Sequence, residues 1–184
     1  MQLTVAIIAG GAGRRLGGRV KGLLEVGGRA IVDGLIELAA PGDEVLLVTR
    51  TPDPFARFGQ RMVDDVVPDK GAPGGVVTAL VSAGTDWVLA VGSDMPFLLR
   101  SHVEALVSQA SDSVDVVVAT RDGSLEPLFA LYRAALGIRW RPALDGDPSL
   151  RALIASVPHA RVALPARVLE SVNIPEDLVR LGAR

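Results

Sequence analysis

The densest chemistry in the 184-residue chain lies early, in Ala9-Gly10-Gly11-Ala12-Gly13-Arg14-Arg15-Leu16-Gly17-Gly18-Arg19-Val20-Lys21. Glycines let backbone N–H groups approach phosphate oxygens. Arg14, Arg15 and Lys21 supply positive charge, and an arginine can grip a phosphate with two parallel bonds. The stretch lacks the lysine pattern of a P-loop, and Leu16 stands where a dinucleotide fingerprint would place its third glycine. The alternative is a solvated basic turn. The position of the loop, directly after a buried apolar run, favours phosphate.

A second candidate is Asp94, in Val91-Gly92-Ser93-Asp94-Met95-Pro96. A carboxylate just beyond a buried strand, in the same layer as the glycine loop, could hold Mg²⁺ against phosphate oxygens. It could equally be a turn-forming cap, and the residue types alone leave the two readings level. Nucleophilic catalysis is disfavoured: the chain has no cysteine, two well-separated histidines and no Ser-His-Asp spacing. The same counts argue against a disulfide or a zinc site.

These groups need elements to carry them. Residues 3–9, 45–48, 62–63, 87–91, 114–120, 128–132 and 162–164 read as strands, mostly aliphatic runs of the kind buried on both faces of a sheet. Residues 30–38 and 74–83 carry helical spacing. Ser101 reads as the N-cap of a helix to residue 108, with Glu104 completing a capping box. Residues 134–156 read as helical pieces broken by Pro142 and Pro148, and Pro175 as the first residue of a last helix. Pro41-Gly42-Asp43 and Asp122-Gly123 are turns, and Asp53-Pro54 opens a short helical one. Strands alternating with helices predict an α/β chain: a three-layer α/β/α, Rossmann-like arrangement with a mostly parallel sheet. With no repeat or linker in view, residues 1–184 are expected to form a single domain.

Apolar residues make up 49% and aromatics 4%, so the core is expected to be aliphatic. A net charge of −2 lacks the basic excess of a nucleic-acid binder, yet allows a local phosphate site. The apolar run at residues 3–9 is too short to cross a membrane and has no signal-peptide flanks. No nucleic acid and no membrane are expected as partners, and the expected location is cytoplasmic.

The glycine loop resembles the signature of the molybdenum cofactor guanylyltransferase family, approximately Leu-Ala-Gly-Gly-x-x-x-Arg-Met-Gly-x-Asp-Lys. Ile8-Ala9-Gly10-Gly11, Arg15-Leu16-Gly17 and Lys21 fit it, with one extra residue before the lysine and Val20 in place of its aspartate. Four further segments match in order. They are Pro68-Asp69-Lys70-Gly71-Ala72-Pro73-Gly74-Gly75, the Asp94-Met95-Pro96 turn, Glu126-Pro127-Leu128-Phe129-Ala130-Leu131-Tyr132 and Asn173-Ile174-Pro175-Glu176-Asp177-Leu178. The resemblance implies a nucleotidyltransferase fold and transfer of GMP from GTP to molybdopterin with release of pyrophosphate. It implies Mg²⁺ as cofactor, with Asp94 as metal ligand, and Asn173 could complete the metal shell or only shape its turn. It implies catalytic roles for Arg15, Lys21 and Asp94. The nucleotide would contact Ile8, Ala9, Gly10, Gly11, Lys21, Thr49, Asp69 and Asp94, and Glu126 would lie on the acceptor side. The helix after Asp69 would point its N-terminus at an anion. Thr49 replaces a family asparagine near the base and Ser171 another near the C-terminus. GTP, molybdopterin and transient contact with proteins that deliver or accept the cofactor are the implied partners.

Three rivals stay open at this stage. One is a related transfer, either cytidylyl to molybdopterin or guanylyl to another small phosphorylated acceptor. Another is a non-catalytic nucleotide-binding module of the same fold. The third, a dinucleotide-dependent oxidoreductase, is opposed by the missing third glycine and the paired arginines.

Overall fold

The computed structural model describes residues 1–10 and 19–180 of the chain. Its centre is a seven-stranded sheet built from β1 (Thr4–Ile8), β4 (Glu44–Val48), β5 (Arg61–Val63), β6 (Trp87–Gly92), β7 (Val116–Arg121), β8 (Ser124–Arg133) and β9 (His159–Ala163), in the order β5-β4-β1-β6-β8-β7-β9. β4, β5 and β6 join β1 in a parallel set. β8 runs against both β6 and β7, and β9 is parallel to β7. The sheet is thus mostly parallel, with one reversed strand. A small antiparallel hairpin, β2 (Glu25–Val26) with β3 (Arg29–Ala30), stands apart from it.

Strand alternation explains the layers. Val5 and Ile7 of β1, with Trp87, Leu89 and Val91 of β6, face a core completed by Ile31, Val32, Leu35, Val103 and Leu106. Ala6, Val88 and Ala90 face the opposite core, with Val76, Val77, Leu80, Tyr132, Trp140 and Leu153. Helices α1 (Ile31–Ile36) and α3 (Arg100–Val107) therefore cover one face. Helices α2 (Gly71–Ser82), α4 (Leu136–Trp140) and α5 (Leu150–Ala155) cover the other. A last helix, α6 (Pro175–Arg180), follows. Each fully buried Val or Leu stabilises this arrangement by about 1.5–3 kcal/mol.

The connections dictate where a ligand fits. From β1 the chain moves through α1 to β4 on one side, and from β5 it returns through α2 to β6 on the other. Crossovers of one hand travelling in opposite directions place their helices on opposite faces. The chain leaving the carboxyl end of β1 and the chain leaving that of β5 therefore head for opposite faces, and the crevice beyond such strand ends is where α/β sheets bind ligands.

Two expectations need correction. Ser101 is not an N-cap: Leu99 is, with extended backbone, and Ser101 lies inside the first turn of α3. The Leu99 N–H donates instead to His102 Nδ1 at 3.0 Å, and Glu104 turns toward Arg100 at 3.6 Å. The β2–β3 hairpin was not expected; its turn, Gly27-Gly28, uses positive φ of 61° and 81°, the backbone that two-residue hairpin turns require. No helix among the described residues is long and apolar enough to cross a membrane.

Candidate active site

Past the strand ends the ladder continues for one residue, which fixes three loop origins. Ala9 N–H donates to Val48 O at 2.8 Å, Thr49 N–H to Val63 O at 3.0 Å and Ser93 N–H to Ile8 O at 3.2 Å. These three positions and the start of α2 enclose a cleft of about 400 Å³. Its walls include Ile8, Ala9, Gly10, Lys21, Thr49, Asp69 and Asp94 of the expected nucleotide contacts. Gly11 and Arg15, also expected there, lie outside the described residues.

Lys21 reaches the cleft from a 3-10 turn, Lys21–Leu23. The turn sits deep because Gly22 has no side chain. A Cβ at position 22 would stand 2.6 Å from Val32 Cγ2, 3.3 Å from Phe55 Cε1 and 3.4 Å from Ser93 Cβ. From this seat Lys21 Nζ donates to Asp94 Oδ2 at 2.8 Å and to Asn173 Oδ1 at 2.6 Å. Residues 73 and 152 positions distant in the chain thus converge on one ammonium. The Lys21 and Asp94 side chains are 20% and 21% exposed, so water screens the pair only in part.

Asn173 is itself held. Its Nδ2 donates to Ser171 Oγ at 2.6 Å, and its backbone N–H donates to Asp177 Oδ2 at 2.9 Å. That backbone bond, with the Arg180 guanidinium, keeps the Asp177 carboxyl below the usual Asp range. Val172 N–H donates to Asp94 O at 2.9 Å, which ties this segment to the Asp94 turn.

On the opposite wall, Asp69 adopts a left-handed backbone, φ 65°, a region that aspartate tolerates better than most residues. Its carboxylate accepts from Arg50 Nη1 at 2.8 Å across the cleft mouth. Gly71 then begins α2, whose cap residue, Lys70, makes no side-chain cap bond. Gly71, Ala72 and Gly75 line the cleft, so the uncapped helix start faces it. Orphan N–H groups and the helix dipole there favour an anion. Thr49 lines the cleft too, but its hydroxyl is engaged with Thr51, accepting from the N–H at 3.2 Å and donating to the carbonyl at 3.4 Å.

Glu126 does not line this cleft. It lies near the start of β8, half-buried, opposite Ala119 at a bulge in the β7–β8 ladder. Burial pushes its carboxyl above the usual Glu range; Arg121 and Arg151 oppose that rise, and Asp94 adds to it. The acceptor-side residue and the Asp94 end of the cleft are therefore within electrostatic reach of each other.

Sequence reading overlooked Asp65, Arg50 and Leu128, all of which line the cleft. Asp65 Oδ1 accepts from the buried Thr78 hydroxyl at 2.7 Å and from Val67 N–H at 3.1 Å, and Thr78 Oγ1 accepts from Val66 N–H at 3.0 Å. The available signal was an Asp-Asp pair directly after a short strand.

The oxygens present fit a magnesium ion carried on phosphate. Asp94 and Asn173 offer one carboxylate and one amide oxygen that already converge on a cation, the Lys21 ammonium. Among the described residues no group of three or more Asp, Glu, His or Cys could hold a metal unaided. Mg²⁺ in phosphate sites takes one or two carboxylates and draws its other ligands from water and substrate.

Comparison with known proteins finds similarity in both sequence and fold. A family model described as MobA-like NTP transferase domain matches residues 5–162. A molybdenum cofactor guanylyltransferase from Rhodopseudomonas palustris is 32% identical over 194 aligned residues, covering 94% of this chain and 89% of that protein. One from Vibrio campbellii is 28% identical, covering 98% and 95%. Among solved structures, molybdopterin-guanine dinucleotide biosynthesis protein A from Archaeoglobus fulgidus superposes with a TM-score of 0.79 at 22% identity, over 97% of this chain and 96% of that one.

Proposed function

The chain belongs to the MobA-like NTP transferase family, and from that premise we propose that it transfers GMP from GTP to molybdopterin, releasing pyrophosphate and forming a guanine dinucleotide of the cofactor. The observation that carries the reading is the meeting of Lys21, Asp94 and Asn173 at one end of a nucleotide-sized cleft, opposite the uncapped start of α2.

An oxygen of the acceptor's phosphate attacks the α-phosphorus of the triphosphate in line; the bond to the bridging oxygen breaks, and pyrophosphate leaves with the electron pair. The acceptor is already a nucleophile, so the protein needs no nucleophile of its own. Its work is positioning and charge stabilisation. Lys21 neutralises the triphosphate, and the N–H groups at the start of α2 and of Gly10 hold its oxygens. Asp69 and Thr49 border the base. Arg15 and Gly11, from the loop before Lys21, are assigned to the phosphates by the family signature. Asp94 and Asn173 would hold Mg²⁺, which when bound would offset charge on the phosphates and polarise the α-phosphorus. Glu126, with Arg121 and Arg151 beside it, borders the acceptor.

The test is pyrophosphate release from each of the four ribonucleoside triphosphates, with molybdopterin and with and without Mg²⁺. GTP with Mg²⁺ is the expected productive pair; release from CTP alone points to cytidylyl transfer. Lys21→Ala is expected to lose about 3–4 kcal/mol of transition-state stabilisation, on the order of 10²–10³ in turnover. A Lys21→Ala protein with wild-type turnover refutes the assignment.

A further inference from the structure

We infer that without nucleotide Lys21 is a resident cation in the seat proposed for the metal, so that a divalent ion is admitted to Asp94 and Asn173 only together with the triphosphate that draws Lys21 away. The inference rests on the reading of those two residues as the metal's ligands.

The geometry is specific. The ammonium stands 2.8 Å from Asp94 Oδ2 and 2.6 Å from Asn173 Oδ1, the two oxygens any ion would have to share. Neither contact is casual. Ser171 orients the Asn173 amide, and the buried fit of Gly22 fixes the root of the lysine. Two cations at contact distance repel strongly in a site that water only partly screens. A bare divalent ion would have to expel Lys21 from both oxygens; of the other carboxylates lining the cleft, Asp69 is already paired with Arg50 at 2.8 Å, and Asp65 is engaged by the Thr78 hydroxyl and the Val67 N–H. A triphosphate changes the balance on both sides. Its oxygens give Lys21 a new partner and bring the metal several ligands at once. Metal and nucleotide then bind interdependently, and by linkage each strengthens the other. Without nucleotide the protein would keep Asp94 paired with Lys21 and would not fill with metal unproductively.

The experiment uses Mn²⁺ as the probe, followed by the loss of the free-ion signal in electron paramagnetic resonance. Three full-length proteins are compared: wild type, Lys21→Met and the double variant Lys21→Met/Asp94→Asn. Circular dichroism melting checks that each is folded. Without nucleotide, Lys21→Met is expected to bind Mn²⁺ at least about tenfold more tightly than wild type, and adding Asp94→Asn is expected to abolish the gain. Wild type is expected to acquire comparable Mn²⁺ affinity only when a non-hydrolysable GTP analogue is present. Equal Mn²⁺ affinity of wild type and Lys21→Met without nucleotide overturns the inference, as does a gain that survives Asp94→Asn. Pyrophosphate release by wild type separates the two ideas. If release occurs while the Mn²⁺ affinities are equal, the transfer reading stands and the resident-cation inference falls. If no triphosphate and acceptor give release, the transfer reading falls whatever the Mn²⁺ titrations give.

Discussion

Replacing Gly22 with alanine adds one methyl group to a residue that is not part of the cleft wall, yet it should damage both stability and turnover. The added Cβ would lie 2.6 Å from Val32 Cγ2, with Phe55 and Ser93 at 3.3 and 3.4 Å. Ordinary carbon contacts fall near 3.5–4.0 Å, so the 3-10 turn or Val32 must yield by about 1 Å. Val32 is fully buried and β-branched, which leaves it few ways to rotate aside. Overpacking of this kind costs about 1–3 kcal/mol. Loss of glycine's unfolded-state freedom returns about 0.4–1 kcal/mol. The net destabilisation is about 0–2.6 kcal/mol, or a fall in Tm of up to roughly 10 °C for a chain of this size. The turn carries Lys21, whose two bonds of 2.6 and 2.8 Å leave little slack. A displacement near 1 Å at a positioned group can cost on the order of 10²-fold in rate. The assays are thermal melting by circular dichroism and pyrophosphate release at saturating triphosphate. Gly34→Ala is the control. It lies within α1 with no atom within 4 Å of the added Cβ, and should stabilise by about 0.5–1 kcal/mol with unchanged turnover. If Gly22→Ala melts as high as wild type and turns over normally, close packing is not what positions Lys21, and the argument fails.

Two other perturbations follow from the same geometry. Thr78→Val keeps the shape of a fully buried side chain but strands the Val66 N–H and frees Asp65. A loss of about 1–3 kcal/mol in urea unfolding is expected, with a raised triphosphate KM and little change in kcat, and an unaltered KM would detach the 64–70 loop from nucleotide binding. Glu126→Gln tests the buried carboxyl. Because the folded protein raises its pKa, it binds the proton more tightly than the unfolded chain does. Stability from this residue is therefore full below the ordinary Glu value of 4.5 and declines as pH rises through the raised one. The variant should melt above wild type near pH 7.5 and match it near about pH 4; a melting difference that does not vary with pH counts against the burial argument.

Much of the fold was legible because its central strands are buried on both faces. Residues 3–9 and 87–91 read as continuous aliphatic runs and became β1 and β6. The turn at Asp122-Gly123 was equally plain, with φ of 49° and 79°, and it sends β8 back against β7. Other features depended on contacts that no local pattern encodes. The start of α3 follows the His102 ring rather than the Ser101 hydroxyl. The β2–β3 hairpin is only two residues per strand, too short for alternation to register. In the cleft, Lys21 and Asp94 could be named from their motifs, but their ion pair spans 73 positions. The Arg50–Asp69 pair across the mouth and the turning of the Thr49 hydroxyl into its own loop are likewise products of tertiary structure.

The single reversed strand has a consequence for how this cleft can be altered. Lys21, Thr49, Asp69 and Asp94, the residues proposed to face the triphosphate, hang from connections between strands of the parallel set or from the crossover to β7, where a change of length would disturb the packed elements on either side. β8 instead brings Leu128 to the cleft wall, with Glu126 just outside it, both within a few residues of the tight Asp122-Gly123 turn. That hairpin tip can be lengthened or rewritten while the parallel half of the sheet keeps its register. If Glu126 borders the acceptor as proposed, anyone wishing to retrain the enzyme toward a different recipient of the nucleotide should begin at this tip, and leave the wall assigned to the donor alone.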